Sequence, residues 1–156
     1  MKRLWMILIT IGMLLATLPA LADLVGVQTN AEVYPGHIAY YSAFGVGTRL
    51  TTGGGFSDFS TEVGTQTAVA FGATASHLTV HLTNTVAAGG TVTITFRVNG
   101  FDTLLSISLG SLTPPGVYQD SVHTVALVAG DLISYKVTNA SSTKTRLFGF
   151  SFEYAP

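Results

Sequence analysis

From about residue 65 onward, apolar and polar positions alternate with a period of two. Leu78, Val80 and Leu82 fall on one side of a strand covering residues 76–83, with His77, Thr79, His81 and Thr83 opposite. Val92, Ile94, Phe96 and Val98 repeat the pattern, with Thr91, Thr93, Thr95 and Arg97 on the other side. Strands with one buried and one solvated face read this way. Asn99-Gly100 then predicts a type I′ turn and a two-residue hairpin. An unbroken register would pair Val98 with Phe101, Phe96 with Thr103, Ile94 with Leu105 and Val92 with Ile107.

Thr113-Pro114-Pro115-Gly116 predicts a loop, because two prolines do not fit a central strand. Residues 121–128 and 132–138 read as strands around a tight Ala129-Gly130-Asp131 turn, and a polar loop over residues 139–145 follows. The last strand, 147–154, places Phe148, Phe150, Phe152 and Tyr154 on one face, a stripe expected to fill the interior. Residues 37–44 and 65–71 predict further strands. Helical periodicity is sustained nowhere after residue 22. The pattern predicts an all-β antiparallel β-sandwich (jelly roll) of about eight or nine strands.

The first 22 residues stand apart. Lys2 and Arg3 precede an apolar run ending near Leu18, Pro19 breaks it, and Ala20-Leu21-Ala22 offers small residues before Asp23. This is the pattern of a cleaved secretory signal peptide, and the run is short for a bilayer span of about 20 residues. The expected organisation is a signal peptide at 1–22, an N-terminal arm or first strand at 23–37, and a sandwich domain at 38–156. The expected location is secreted, extracellular or at the cell surface, with no membrane attachment after signal removal. Lys2 and Arg3 are two of seven basic residues; without them five remain against eight acids, a net charge of −3. No basic run collects phosphates, so nucleic acid is not an expected partner. Cysteine is absent, so packing or self-association must hold an exported chain together.

Four segments, His77-Leu78-Thr79-Val80-His81-Leu82, Thr93-Ile94-Thr95-Phe96-Arg97-Val98-Asn99-Gly100-Phe101-Asp102-Thr103, Val128-Ala129-Gly130-Asp131-Leu132-Ile133-Ser134 and Phe150-Ser151-Phe152-Glu153, together resemble jelly-roll modules of bacterial exported and phage structural proteins. They also look distantly like the trimeric globular heads of the complement and tumour-necrosis-factor type. The resemblance covers residues 65–156 and implies a non-enzymatic assembly or recognition module, with no catalytic residue to carry over.

The residues themselves offer little chemistry. His77 and His81, four apart on a strand, have Cα atoms about 13 Å apart, too far for one metal ion with bonds of about 2 Å. His37 and His123 complete the histidines. No Gly-x-Ser-x-Gly elbow is present, and Gly53-Gly54-Gly55 lacks the lysine and helix of a phosphate loop. Asp131 and Asp102 have turn duties, which leaves Asp58 and Glu62 as loop carboxylates without an evident structural task. Neither a metal nor a cofactor is expected, and no enzymatic role. Asn139-Ala140-Ser141 fits a glycosylation acceptor.

Two roles remain. The leading one is an extracellular structural protein, a self-associating subunit of a fibre, coat or trimeric head whose main partner is itself. Leu24, Val25, Val27 and Val33 would form an assembly arm that adds to a neighbour's sheet, against the alternative that they are the chain's own first strand. With an arm, a chain starting at Ala39 would stay soluble and lose assembly. The other role is a carbohydrate-binding module, with Tyr34, Tyr40, Tyr41, Phe56, Phe59 and Tyr118 as stacking candidates.

Overall fold

The computed structural model describes the backbone of residues 23–43 and 61–155, and side chains from residue 31 onward within those ranges. The described residues form nine strands: β1 (Asp23–Val33), β2 (Ile38–Ser42), β3 (Thr67–Ala68), β4 (Ala73–Leu82), β5 (Val92–Val98), β6 (Phe101–Leu109), β7 (Gly116–Leu127), β8 (Leu132–Asn139) and β9 (Thr145–Ala155). A single 3₁₀ turn, Glu62–Gly64, is the one helical piece among them. Two antiparallel sheets result, β1-β9-β4-β7 and β2-β8-β5-β6, with β3 adding to β8. The chain is an all-β antiparallel sandwich, and its strands cross between layers in jelly-roll order.

The interior is the one that the alternation predicts. Leu78, Val80, Leu82, Val92, Ile94 and Phe96 are fully buried. Aromatic rings join the layers. Phe96 of β5 meets Phe152 of β9 at 5.0 Å, and Tyr135 of β8 stacks on Phe150 at 5.1 Å. Burial of each such side chain contributes about 1.5–3 kcal/mol. Among the described residues, Tyr135 is the exception to full satisfaction. Its hydroxyl is buried with no hydrogen-bond partner, and burial pushes its pKa far above the usual phenol range.

The Asn99-Gly100 turn forms as predicted, both residues taking positive φ (52° and 81°). Asn99 also locks the turn to β8: its Nδ2 donates to Asp131 Oδ1 (2.8 Å) and its Oδ1 accepts from Leu132 N–H (2.9 Å). The predicted register holds for the first two pairs, Val98–Phe101 and Arg97–Asp102. A bulge between Thr95 and Arg97 then slides β6 by two residues, so Ile94 faces Ile107 and Val92 faces Leu109. An even slip keeps the faces: Leu105, Ile107 and Leu109 still point inward, while Phe101 overhangs at 76% exposure.

Two further bulges alter the predicted faces. Between Ser76 and Leu78, His77 takes φ 52° opposite the three residues 121–123 of β7. Between His81 and Leu82, β9 inserts Phe148. Phe148 therefore leaves the predicted core stripe and turns outward, at 38% exposure.

The segment weighed as an arm is β1, an edge strand paired along β9 of its own chain from Asp23–Tyr154 to Val33–Thr145. The own-strand alternative describes this structure, and Val33 is fully buried.

Candidate functional site

The two sheets approach each other along the flank formed by edge strands β6 and β7, where an open groove of about 360 Å³ lies between them. Ile107, Leu109 and Tyr118 form its apolar wall, and Ser106, Ser108, Gln119, Asp120 and His123 its polar one. Asp120 sits on the inward side of β7 and is 8% exposed. A carboxylate so placed needs partners. Its Oδ2 accepts from the Ser106 N–H of the opposite sheet (3.0 Å), its Oδ1 from the N–H groups of Val122 and His123 (3.1 and 3.2 Å). His123 Nδ1 lies 2.9 Å from Oδ2. Burial alone would raise the Asp120 pKa. The Ser106 N–H, the His123 ring and the two β7 N–H groups outweigh it and hold the carboxyl at about 2.

This arrangement does two things. It ties β6 to β7 across the open side of the sandwich, satisfying an edge N–H that would otherwise face the groove. It also makes Nδ1 the donor of the His123 ring toward that carboxylate. Asp–His pairing is two parts of a nucleophile-activating triad, but among the described residues no serine hydroxyl bonds to the His123 ring. The pair is a brace.

Around the groove the surface is apolar and short of basic charge. Leu104 of β6 and Val122 of β7 are 75% and 80% exposed, and Leu112 in the intervening turn is 65% exposed. Leu112 holds φ 60°, a conformation that favours glycine or asparagine, yet presents a leucine to water. Neither lysine nor arginine occurs between Arg97 and Lys136. Edge strands are ordinarily blunted by such charges.

The sequence-predicted stacking residues are scattered. Tyr41 packs against Phe150 at 5.2 Å, and Tyr118 donates to the Pro114 carbonyl (2.7 Å) while lining the groove. Tyr40 lies beneath the Arg97 guanidinium (5.6 Å), and Tyr34 beneath the Lys144 ammonium (4.2 Å). They share no face or platform. Phe56 and Phe59 lie outside the described residues, as does Asp58. Of the arm candidates, Val33 is core, while Leu24, Val25 and Val27 are known by their pairing with Glu153, Phe152 and Phe150.

Glu62 has a structural task after all. It takes both Nε and Nη2 of Arg97 (2.8 and 3.1 Å) and the Ser134 hydroxyl (2.6 Å) on the outer face of the second sheet. Burial raises its pKa, and the Arg97 and Ser134 hydrogen bonds bring it below the usual range. Asp102 pairs with Arg97 and Lys136 beside it. Asn139 is fully buried. Its Nδ2 donates to the Val33 and Thr143 carbonyls (2.8 and 2.9 Å), and its Oδ1 accepts from the N–H and hydroxyl of Ser141. The nitrogen that would carry a glycan is therefore committed to holding β1 against the β8–β9 loop. Among the described residues no cluster of three histidines or carboxylates is placed to hold a metal ion.

Sequence reasoning missed the pairing of Asp120 with His123. Their spacing of three suggests nothing on a regular strand, and only the bulge at 121–123 folds one back on the other. Fold and flank together define an antiparallel β-sandwich with one braced side that exposes leucine and valine and carries no lysine or arginine. The chain matches no family model and no curated protein.

Proposed function

We propose that this protein is an extracellular structural subunit that associates with copies of itself, as a fibre, coat or trimeric head, through the β6–β7 flank. The observation that carries the reading is the exposure of Leu104, Leu112 and Val122 on and beside edge strands that hold no lysine or arginine. Exposed apolar side chains on edge strands that no lysine or arginine blunts favour pairing with another chain. The strained Leu112 adds to it, because a conformational cost at an exposed residue is understandable where its side chain meets something. The signal-like first 22 residues support a place outside the cell. The Asp120–His123 brace supports the reading in another way: it stiffens the flank, so less order is lost on docking.

Sedimentation velocity of the purified protein tests this. The wild type should sediment as oligomers at micromolar concentration. The double variant Leu104→Ser/Val122→Ser should sediment as a monomer with an unchanged far-ultraviolet dichroism spectrum. A wild type that stays monomeric at the highest attainable concentration, or a double variant that assembles equally well, would sink the proposal.

A further inference from the structure

The outer face of the β1-β9-β4-β7 sheet carries a second feature, which shares Gln119 with the flank groove and is otherwise built from other residues. Here β9 spends an extra residue opposite β4: His81 pairs with Gly149 and Leu82 with Leu147, and Phe148 is the residue between. Alternation would have buried Phe148 beside Phe150. The bulge instead re-aims it to the surface, and bulges that re-aim a side chain are typical of sites. An aromatic ring left partly at the surface forgoes part of its burial, so its position calls for a reason.

The surroundings of Phe148 are specific. Its ring meets His81 edge-on, with centroids 5.6 Å apart. Gly149 beside it adds no side chain and leaves a shelf. Val117, in register with His81 on β7, closes that row at 67% exposure. The adjoining row across the sheet is Gln119, Thr79 and Ser151, in register from β7 through β4 to β9. Gln119 Nε2 donates to Thr79 Oγ1 (3.1 Å), whose own proton goes to the His77 carbonyl (3.0 Å). That chain of bonds fixes the Gln119 amide, with its oxygen and second N–H still available.

Neither row holds a lysine, arginine, aspartate or glutamate. The charges that flank the rows along β9 already have partners: Arg146, two residues before Phe148, holds Glu32 at 2.8 Å, and Glu153, two residues after Ser151, holds His77 at 3.0 Å. An ionised ligand would have to compete with Glu32 or His77 for its counter-charge. An apolar partner would cover the hydroxyls of Thr79 and Ser151 and the Gln119 amide without replacing their bonds to water, a desolvation cost for each group. A neutral polyol suits both halves, laying its C–H face on the ring and its hydroxyls against the polar row. A sheet four strands wide at about 4.8 Å spacing spans about 14 Å, room for several sugar units crossing the strands.

We infer that this face is a carbohydrate-binding platform for a neutral polysaccharide, with Phe148 as the stacking base and Gln119, Thr79, Ser151 and His81 as its hydrogen-bonding rim. The site does not depend on self-association through the β6–β7 flank, and a monomer would carry it.

The test uses the purified protein in co-sedimentation with insoluble cellulose and chitin, and in native gels containing xylan, mixed-linkage β-glucan, galactomannan or dextran. Retention by at least one of these six is expected. Phe148→Ala should weaken it at least tenfold, and Phe148→Tyr should keep it, which also guards against misfolding as the cause. Phe101→Ala, which removes an even more exposed ring from a different sheet, should leave retention unchanged. Binding to none of the six polymers overturns the inference, as does Phe148→Ala binding like the wild type or Phe101→Ala losing binding equally. If Phe148→Ala abolishes self-association while no polymer is retained, the face belongs to a second copy and the platform is refuted.

Discussion

At the scale of single residues, Asp120 carries more of the architecture than any other polar side chain in the groove. Its carboxylate gathers three N–H groups and an imidazole, and one of those N–H groups belongs to the facing sheet. The consequence is a pH dependence of definite sign. The folded-state pKa, about 2, lies below the ordinary value of 3.8, so the ionised form is the one that the fold favours. The stabilisation is complete above about pH 5 and is lost as pH falls from about 4 to 2. At 1.36 kcal/mol per unit, it amounts to about 2 kcal/mol. Urea unfolding of wild type and Asp120→Asn between pH 7 and 2 checks it. The wild type should lose about 2 kcal/mol more than the variant over the acid range. Parallel acid profiles would show that the brace contributes nothing. Glu62 and Asp131, also held below their usual range, make the same sign of contribution in both proteins, so the difference isolates Asp120.

At the scale of elements, the alternation rule and the turn chemistry account for most of what was legible. Leu78, Ile94 and Phe150 are core, and Asn99-Gly100 makes its hairpin, because side-chain period and positive φ are local properties of the chain. The bulges were not legible. A bulge arises from a mismatch in length between two paired strands, and neither strand records it alone. Hence the hairpin register failed beyond its first pairs, Phe148 was expected in the core, and the Asp120–His123 pair went unseen. Packing between loops is equally hidden. Gly90, in the turn entering β5, lies so close to the β8–β9 loop that a methyl on it would sit 2.3 Å from Ser141 Cβ and 2.7 Å from Ser141 Cα. Ser141 is itself held by the buried Asn139, so it cannot step aside. Gly90→Ala is expected to cost about 2–3 kcal/mol, the upper part of the overpacking range. Gly110→Ala, where the methyl meets nothing within 4 Å, is the control and should cost little. Urea unfolding of the two variants side by side decides it, and equal costs would mean that the β8–β9 loop yields.

At the scale of the whole molecule, the role of the N-terminal strand separates an assembly device from a structural layer. An arm that served neighbours would be dispensable for folding. In this structure β1 instead covers the length of β9, places Ala31 and Val33 in the core, and receives the Asn139 amide on the Val33 carbonyl. Removing it would strip β9 of one of its two partners, open the edge beside Phe150 and Phe152, and leave Asn139 Nδ2 with one acceptor fewer. A buried donor left unpaired costs about 1–3 kcal/mol. The two small apolar side chains and the lost ladder add to that, and the sum is a large share of the 5–15 kcal/mol that a domain of this size commands. A chain that begins at Tyr34 is therefore expected to lose its cooperative thermal transition, or to melt at least 15 °C lower, rather than remain a folded monomer. Calorimetry with far-ultraviolet dichroism separates the outcomes. A folded, soluble, monomeric truncation would show that β1 lies on the sandwich without supporting it, and would return the segment to the role of an arm.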